Sequence, residues 1–413
     1  MLKSLSEHKK YVLFSYLSIG SNIITGLILF PLIIKNIGFD ALGIFGIIFS
    51  AKSIIDIGIG WLSGSMTKNL IHYKYLKYDI FTSSIIINVL YGIFAFCVIY
   101  LFGFLVHNEY LQSFFYFGLF SVLSFALVPF YEYLRAMLKQ YQVAFFRFLQ
   151  QFLFMVLALS SFVIFKNNSL DIIFLMLLIS TIFTSICVGV YYFYHITLHI
   201  SFKHISKKLF YKLLYKDGVL YFLQGMSTIL LFQLDILLID LLYGSEQVAL
   251  YLLVWKIPNT LIMLGWRLSE PYQAIIAKEI QIDKKNISTR YFLFEKKLFI
   301  LSIFVFFAYV LTGEWFMQLW LGVQNTPNIN YMYLFPALAV VFSTMQRFYI
   351  SANYFTFGLN KVVLAQFFEL LLKTIFIVFL FDCFGVLAPI IGWLCAYCFT
   401  LFIYRKNAQK VFI

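Results

Sequence analysis

YVLFSYLSIGSNIITGLILFPLII, residues Tyr11–Ile34, decides how this chain is read. The stretch runs for 24 residues without a charged side chain. A helix that crosses a bilayer needs about 20 such residues. Lys3, Lys9 and Lys10 stand before it, an order that imitates a secretion signal. The run is too long for the apolar core of a signal and lacks an Ala-x-Ala cleavage site. It reads as a retained first membrane span.

Apolar stretches of similar length recur along the whole chain. The first half holds them at 11–34, 42–62, 80–106, 111–138, 144–165 and 170–194. The second half holds them at 217–242, 247–275, 291–312, 331–353, 362–382 and 384–404. Hydrophobic residues make up 62% of the chain and charged residues 12%. Soluble proteins carry roughly 45–50% and about 25%. So few charges cannot cover so much apolar surface in water. A soluble enzyme, a secreted disulfide scaffold and a disordered chain are excluded. The expected fold is an all-α polytopic membrane protein of twelve transmembrane helices. The expected domains are a six-helix bundle over 1–194, a basic amphipathic connector over 195–216, and a second six-helix bundle over 217–413.

The connections set the orientation. Basic residues gather at the two ends and in the even-numbered connections, from Lys3 through Lys68, Arg135, Lys203, Lys278 and Lys361 to Lys410. These segments hold 21 Lys and Arg, against only Lys35 and Lys166 in the odd-numbered ones. By the positive-inside rule both termini are cytoplasmic. The net charge of +13 follows from these loops and needs no nucleic-acid partner. Stretches 63–78 and 195–216 alternate Lys with Leu, Phe and Tyr and are expected to lie on anionic lipid. His195, His199 and His204, like the Cys395-x-x-Cys398 pair, lack the companions of a metal site. No metal or other cofactor is expected.

A shift of 206 residues brings two hairpins into register. Gly38-x-Asp40-x-x-Gly43-x-Phe45 meets Gly244-x-Glu246-x-x-Ala249-x-Tyr251. Both halves start on the same side, so the repeat is parallel. Transporters built this way bind their substrate at the repeat interface.

Ionisable groups inside spans cost at least about 2.5–3.5 kcal/mol each, so each needs a partner or a purpose. Lys52 and Asp56, Glu132 and Arg135, Arg267 and Glu270, and Glu369 and Lys373 have the i,i+3 or i,i+4 spacing of helical pairs. Arg147, Lys256 and Arg347 have no such partner, and neither do Asp235 and Asp240. Lys256 is placed to reach Asp235. Lys52 and Lys256 sit near mid-span in corresponding helices, offset by two residues from strict register. Two such cations suit an anion such as a pyrophosphate. Intramembrane Gln and Pro residues, among them Gln150, Gln151, Pro31 and Pro258, fit helices that face water or protein.

The chain resembles the polysaccharide biosynthesis flippases of the Wzx type. The resemblance rests on Pro31-Leu-Ile-Ile-Lys-Asn-Ile-Gly38, Leu42-Gly-Ile-Phe-Gly46, and Asp56-Ile-Gly-Ile-Gly60 with Thr67-Lys68 behind it. It continues in Gly244-x-x-x-x-Ala249-x-Tyr251, Leu319-Trp-Leu-Gly322 and Asn353-Tyr-Phe-Thr-Phe-Gly358. The family belongs to the multidrug/oligosaccharidyl-lipid/polysaccharide exporter superfamily, which includes the multidrug and toxic compound extrusion (MATE) proteins. The resemblance implies a V-shaped pair of bundles with a cationic central cavity in the bacterial inner membrane. It implies movement of undecaprenyl-pyrophosphate-linked oligosaccharide, an O-antigen or capsular repeat unit, with membrane lipids and polysaccharide polymerase machinery as further partners. The cavity cations expected here are Lys52, Arg147, Lys256, Arg347 and Lys373. Asp56, Glu132 and Asp235 are the candidates for coupling or gating. Flipping breaks no covalent bond, so no catalytic residue is expected, and the chain has no P-loop. Two rivals stand beside this reading: an ion-coupled multidrug antiporter of the same architecture, and a membrane glycosyltransferase or glycan polymerase. The antiporter would need acidic groups to dominate the cavity. The enzyme would need a sizeable polar loop.

Overall fold

A computed structural model describes residues 7–58, 66, 69–70, 77–164, 166, 169–195, 219–279, 284–322, 333–353 and 359–412. The interfacial stretch expected over 63–78 lies largely outside these residues, and the connector over 195–216 does so apart from His195. The side chains of Arg267 and Glu270 also lie outside them. Twelve α-helices are present among the described residues, and no strand. The first six are α1 (Glu7–Asn36), α2 (Phe39–Ile55), α3 (Lys77–Val106), α4 (Leu111–Ala136), α5 (Gln140–Ile164) and α6 (Leu170–His195). The second six are α7 (Val219–Tyr243), α8 (Ser245–Glu279), α9 (Lys284–Leu321), α10 (Leu334–Asn353), α11 (Leu359–Phe384) and α12 (Ala388–Phe412).

Every expected span coincides with one of these helices. The largest departures are α9, which extends beyond 291–312 at both ends, and α12, which runs on to Phe412; α2 ends early, at Ile55. Among the described residues, eight stretches are long and apolar enough to cross a membrane by length and composition. One of them, Val363–Gln409, takes in both α11 and α12. The exposed faces are apolar too: Leu90, Phe94, Leu101 and Leu105 on α3, and Phe304 and Leu311 on α9. Apolar faces of that extent are stable against lipid and not against water. This is an all-helical, multi-pass membrane protein.

The chain divides into two compact units, Met1–Met226 and Ser227–Ile413. Inside the first, α3 packs on α4, α4 on α6, and α5 on α6. Inside the second, α9 packs on α10, α10 on α12, and α11 on α12. The same pairs of helices meet when numbering restarts at α7, as an internal repeat requires. The turns agree. Gly38, ahead of α2, has φ 134°, and Gly244, ahead of α8, has φ 88°. These glycines are 206 residues apart, the register of the repeat. Only glycine takes such angles freely, so the same residue serves the same turn twice.

Small residues let neighbouring helices approach. A Cβ on Gly92 of α3 would lie 3.1 Å from the Cα of Val122 in α4. A Cβ on Gly392 of α12 would lie 2.6 Å from the Cβ of Phe376 and 3.2 Å from the Cα of Lys373, both on α11. Aromatic rings fill the space between more distant helices. In unit one, Phe45 and Phe49 of α2, Phe117 of α4 and Phe174 of α6 form one cluster. Buried threonine hydroxyls find acceptors within their own helix, as where Thr181 donates to the Leu177 carbonyl at 2.9 Å and Thr184 to the Ser180 carbonyl at 2.8 Å.

Gly392→Val is expected to push α12 off α11 and to cost about 1–3 kcal/mol of stability. Gly189→Val, where a Cβ meets nothing within 4 Å, is the matched control. Thermal unfolding of the purified protein in detergent should show a lowered Tm for the first and little change for the second.

Candidate functional site

The most deeply buried charges lie in unit two. Lys373 of α11 and Asp235 of α7 form an ion pair of 2.8 Å. Their side chains are 4% and 0% exposed, so water screens neither. The same Asp235 oxygen accepts a hydrogen bond from the Tyr251 hydroxyl of α8. The other oxygen accepts from the backbone N–H of Ile236 at 3.1 Å. The Lys373 ammonium also lies 5.3 Å from the centre of the Trp393 ring of α12. Trp393 stands against Trp255 at 5.2 Å and Tyr397 at 4.7 Å. Four helices therefore converge on one carboxylate and one ammonium. An aromatic face and a hydrogen-bond donor complete the shell around the charges, as burial demands.

This arrangement differs from the spacing-based expectation. Lys373, and not Lys256, reaches Asp235. Glu369, one helical turn before Lys373, takes a different partner: it accepts a hydrogen bond from the Gln346 amide of α10. Gln346 also donates to Thr400 of α12 at 3.3 Å. The reason is geometric. Adjacent turns of one helix can share a pair only when no better acceptor faces them. Across the bundle, Asp235 offers Lys373 a fully buried carboxylate already oriented by Tyr251.

Two of the expected helical pairs do form. Lys52 meets Asp56 at 2.5 Å at the end of α2, with the ammonium 5.5 Å from the Phe120 ring. Arg135 meets Glu132 at 2.5 Å on α4. The remaining cations are placed differently. Arg147 of α5 is exposed, and its guanidinium lies 5.8 Å from the Tyr131 ring of α4. Among the described residues no carboxylate stands within ion-pair distance of it. The Tyr131 hydroxyl, itself buried, has no hydrogen-bond partner among them either. Arg347 of α10 is half-buried, 5.2 Å from the Trp266 ring of α8. The Trp266 N–H is held by the carbonyl and hydroxyl of Ser343, each at 3.2 Å. Lys256 of α8 is half-buried beside the buried Trp255.

The eight candidates thus fall into separate groups. Lys52 joins Asp56, and Lys373 joins Asp235. Glu132 is taken by Arg135. Arg147 and Arg347 rest on aromatic rings, and Lys256 is half-buried on α8. Sequence reasoning missed Tyr251, Gln346, Trp393 and Tyr131 as members of these groups. For Tyr251 a signal existed, since it closes the repeated hairpin pattern that begins at Gly244. The others carry no local signal, because their partners are on other helices.

No family model matches the chain, and no curated protein matches it by sequence. Solved structures do. An inward-facing multidrug resistance MATE family transporter of the MOP superfamily aligns with a TM-score of 0.70 at 14% identity, over 96% of this chain and 94% of its own. An outward-facing one aligns at 0.65 and 15%, over 99% and 97%. A MOP superfamily transporter from Pyrococcus furiosus aligns at 0.65 and 15%, over 98% and 97%. The chain has the fold of a MOP-superfamily transporter.

Lys373→Met is expected to destabilise the protein by about 3–5 kcal/mol, because Asp235 is left buried and unpaired. Adding Asp235→Asn should recover much of that loss, since the remaining amide and thioether need no counter-charge. A double-mutant cycle on thermal unfolding checks the sign and size of this coupling.

Proposed function

We propose that the chain is a flippase for polyprenyl-pyrophosphate-linked oligosaccharide, working by alternating access in a bacterial cytoplasmic membrane with both termini cytoplasmic. The single observation that carries this reading is the sorting of intramembrane charge. Asp235, Glu132 and Glu369 are buried and engaged by protein groups. Arg147 is exposed, and Lys256 and Arg347 are half-buried. What the spans offer to a ligand is therefore mainly positive.

A diphosphate suits such a set. Guanidinium groups bind phosphate oxygens in pairs, and lysine acts as a point charge. Arg147 stacks near Tyr131, whose unpartnered hydroxyl is a ready donor to a further phosphate oxygen. Lys52 is held by Asp56 and would be released by an incoming anion or by protonation of that carboxylate. The prenyl tail stays in lipid, and the sugars follow the water. The fold neighbours named as multidrug transporters keep an antiporter as the second reading. In its favour stand the aligned chains themselves. Against it stands the sign of the accessible charge. The Pyrococcus furiosus neighbour is described as having a binding pocket whose reverse polarity suggests a different function. That description sets a precedent for a charge change on this fold.

In a deletion strain, lipid-linked repeat units should accumulate while the cell surface lacks polymer, and the intact gene should restore both. Arg147→Ala should transport some 10- to 100-fold more slowly, the loss of a charged hydrogen bond of about 1.5–3 kcal/mol. Quantifying extracted polyprenyl-linked glycan by mass spectrometry tests this. Normal surface glycan with new sensitivity to cationic drugs would favour the antiporter.

A further inference from the structure

The ends of α9 and α12 show a feature that the transport reading does not use. One stripe of α9 is exposed along nearly its whole length: Leu293, Ile300, Phe304, Phe307, Leu311 and Trp315. With position 297 between the first two, these positions recur every three or four residues, so they share a single face. Lys297 falls on the same stripe and is exposed, with exposed Lys296 beside it. On α12, Phe399, Phe402 and Ile403 form an exposed apolar face, and exposed Lys406 continues it one turn on. The two ends are tied together. Glu295 of α9 accepts from Arg405 Nε at 3.1 Å and from the Tyr349 hydroxyl of α10 at 2.5 Å.

The spacing along both helices marks the same plane. Trp315, suited to one membrane interface, is about 27 Å from Lys297 at 1.5 Å per residue. Ala388, where α12 begins, is about 27 Å from Lys406 by the same measure. The hydrocarbon core is about 30 Å thick. On α9 the exposed stripe between Trp315 and Lys297 thus matches the hydrocarbon thickness, and on α12 Lys406 follows the exposed Phe399, Phe402 and Ile403. With the orientation read from the basic loops, that level is the cytoplasmic headgroup layer.

We propose that Lys296 and Lys297 of α9, with Lys406 of α12, form a docking surface for the headgroup phosphate of anionic phospholipid. Charge complementarity selects the headgroup, and the two apolar stripes receive its acyl chains. Glu295 fixes Arg405 in place and so sets the spacing of the two helix ends. Zwitterionic lipid supplies the same chains and a phosphate, but its ammonium opposes the lysines. The surface is independent of the substrate proposed above, and the two fail separately.

The full-length protein is exchanged into mixed phosphatidylglycerol and phosphatidylcholine, and retained lipid is counted by native mass spectrometry. Wild type should retain phosphatidylglycerol preferentially. Near a membrane surface each Lys contributes about 1 kcal/mol, so Lys296→Gln/Lys297→Gln/Lys406→Gln should weaken retention roughly a hundredfold. Each single variant should weaken it about fivefold, which keeps the test available if the triple variant does not fold. Lys296→Arg/Lys297→Arg should keep retention, and so should Lys35→Gln in the last turn of α1. Equal retention of both lipids by wild type overturns the proposal. So does undiminished retention by the triple variant, or displacement of the lipid by millimolar inorganic phosphate.

Discussion

A charge in hydrocarbon needs an opposite charge, a full set of hydrogen bonds, or water, and this constraint organises unit two. Asp235 and Lys373 meet at 2.8 Å with almost no exposure, so α7 and α11 are tied at a fixed point. Desolvating two ions costs several kcal/mol each, and their attraction offsets that only with good geometry and further donors. Tyr251 and the Ile236 amide supply those donors, and Trp393 supplies a π face. The close approach at Gly392, against the backbone of Lys373 itself, is what lets α12 bring Trp393 over the ammonium. Packing and electrostatics thus depend on one another here.

The helices were legible in the sequence because their cause is local. A bilayer demands a run of apolar residues, and each such run is visible without knowledge of its neighbours. The repeat was legible for the same reason, through Gly38 and Gly244 at one turn used twice. The end of α2 was less so: Asp56 caps it, although the apolar run continues past it. Pairing was legible only within a helix. Lys52 with Asp56 and Glu132 with Arg135 follow from spacing alone. Lys373 has the same spacing to Glu369, yet its partner is on α7, over a hundred residues earlier in the chain. Nothing in a single helix reports which residue faces it across a bundle.

That difference changes how the candidate cations are understood. Lys373 is a structural counter-ion, engaged before any ligand arrives. Lys52 shares its charge with Asp56 at the end of α2, where both are partly accessible. Arg147 is exposed, and beside it the buried Tyr131 hydroxyl has no hydrogen-bond partner among the described residues; on the proposed reading this is the cation that meets the ligand. Asp235, Glu132 and Glu369 are buried, and each accepts from a protein group. A shared fold does not decide between the two classes of cargo, and the proposal above rests on the sign of the accessible charge.

The most direct test of that claim is transport by the purified protein in proteoliposomes. A labelled polyprenyl-pyrophosphate oligosaccharide is placed in both leaflets, and its accessibility to a membrane-impermeant quencher is followed over time. The account predicts protein-dependent exchange of the lipid-linked sugar between leaflets, and none of a cationic dye. Transport of the dye against an imposed ion gradient, with the lipid-linked sugar left in place, would contradict it.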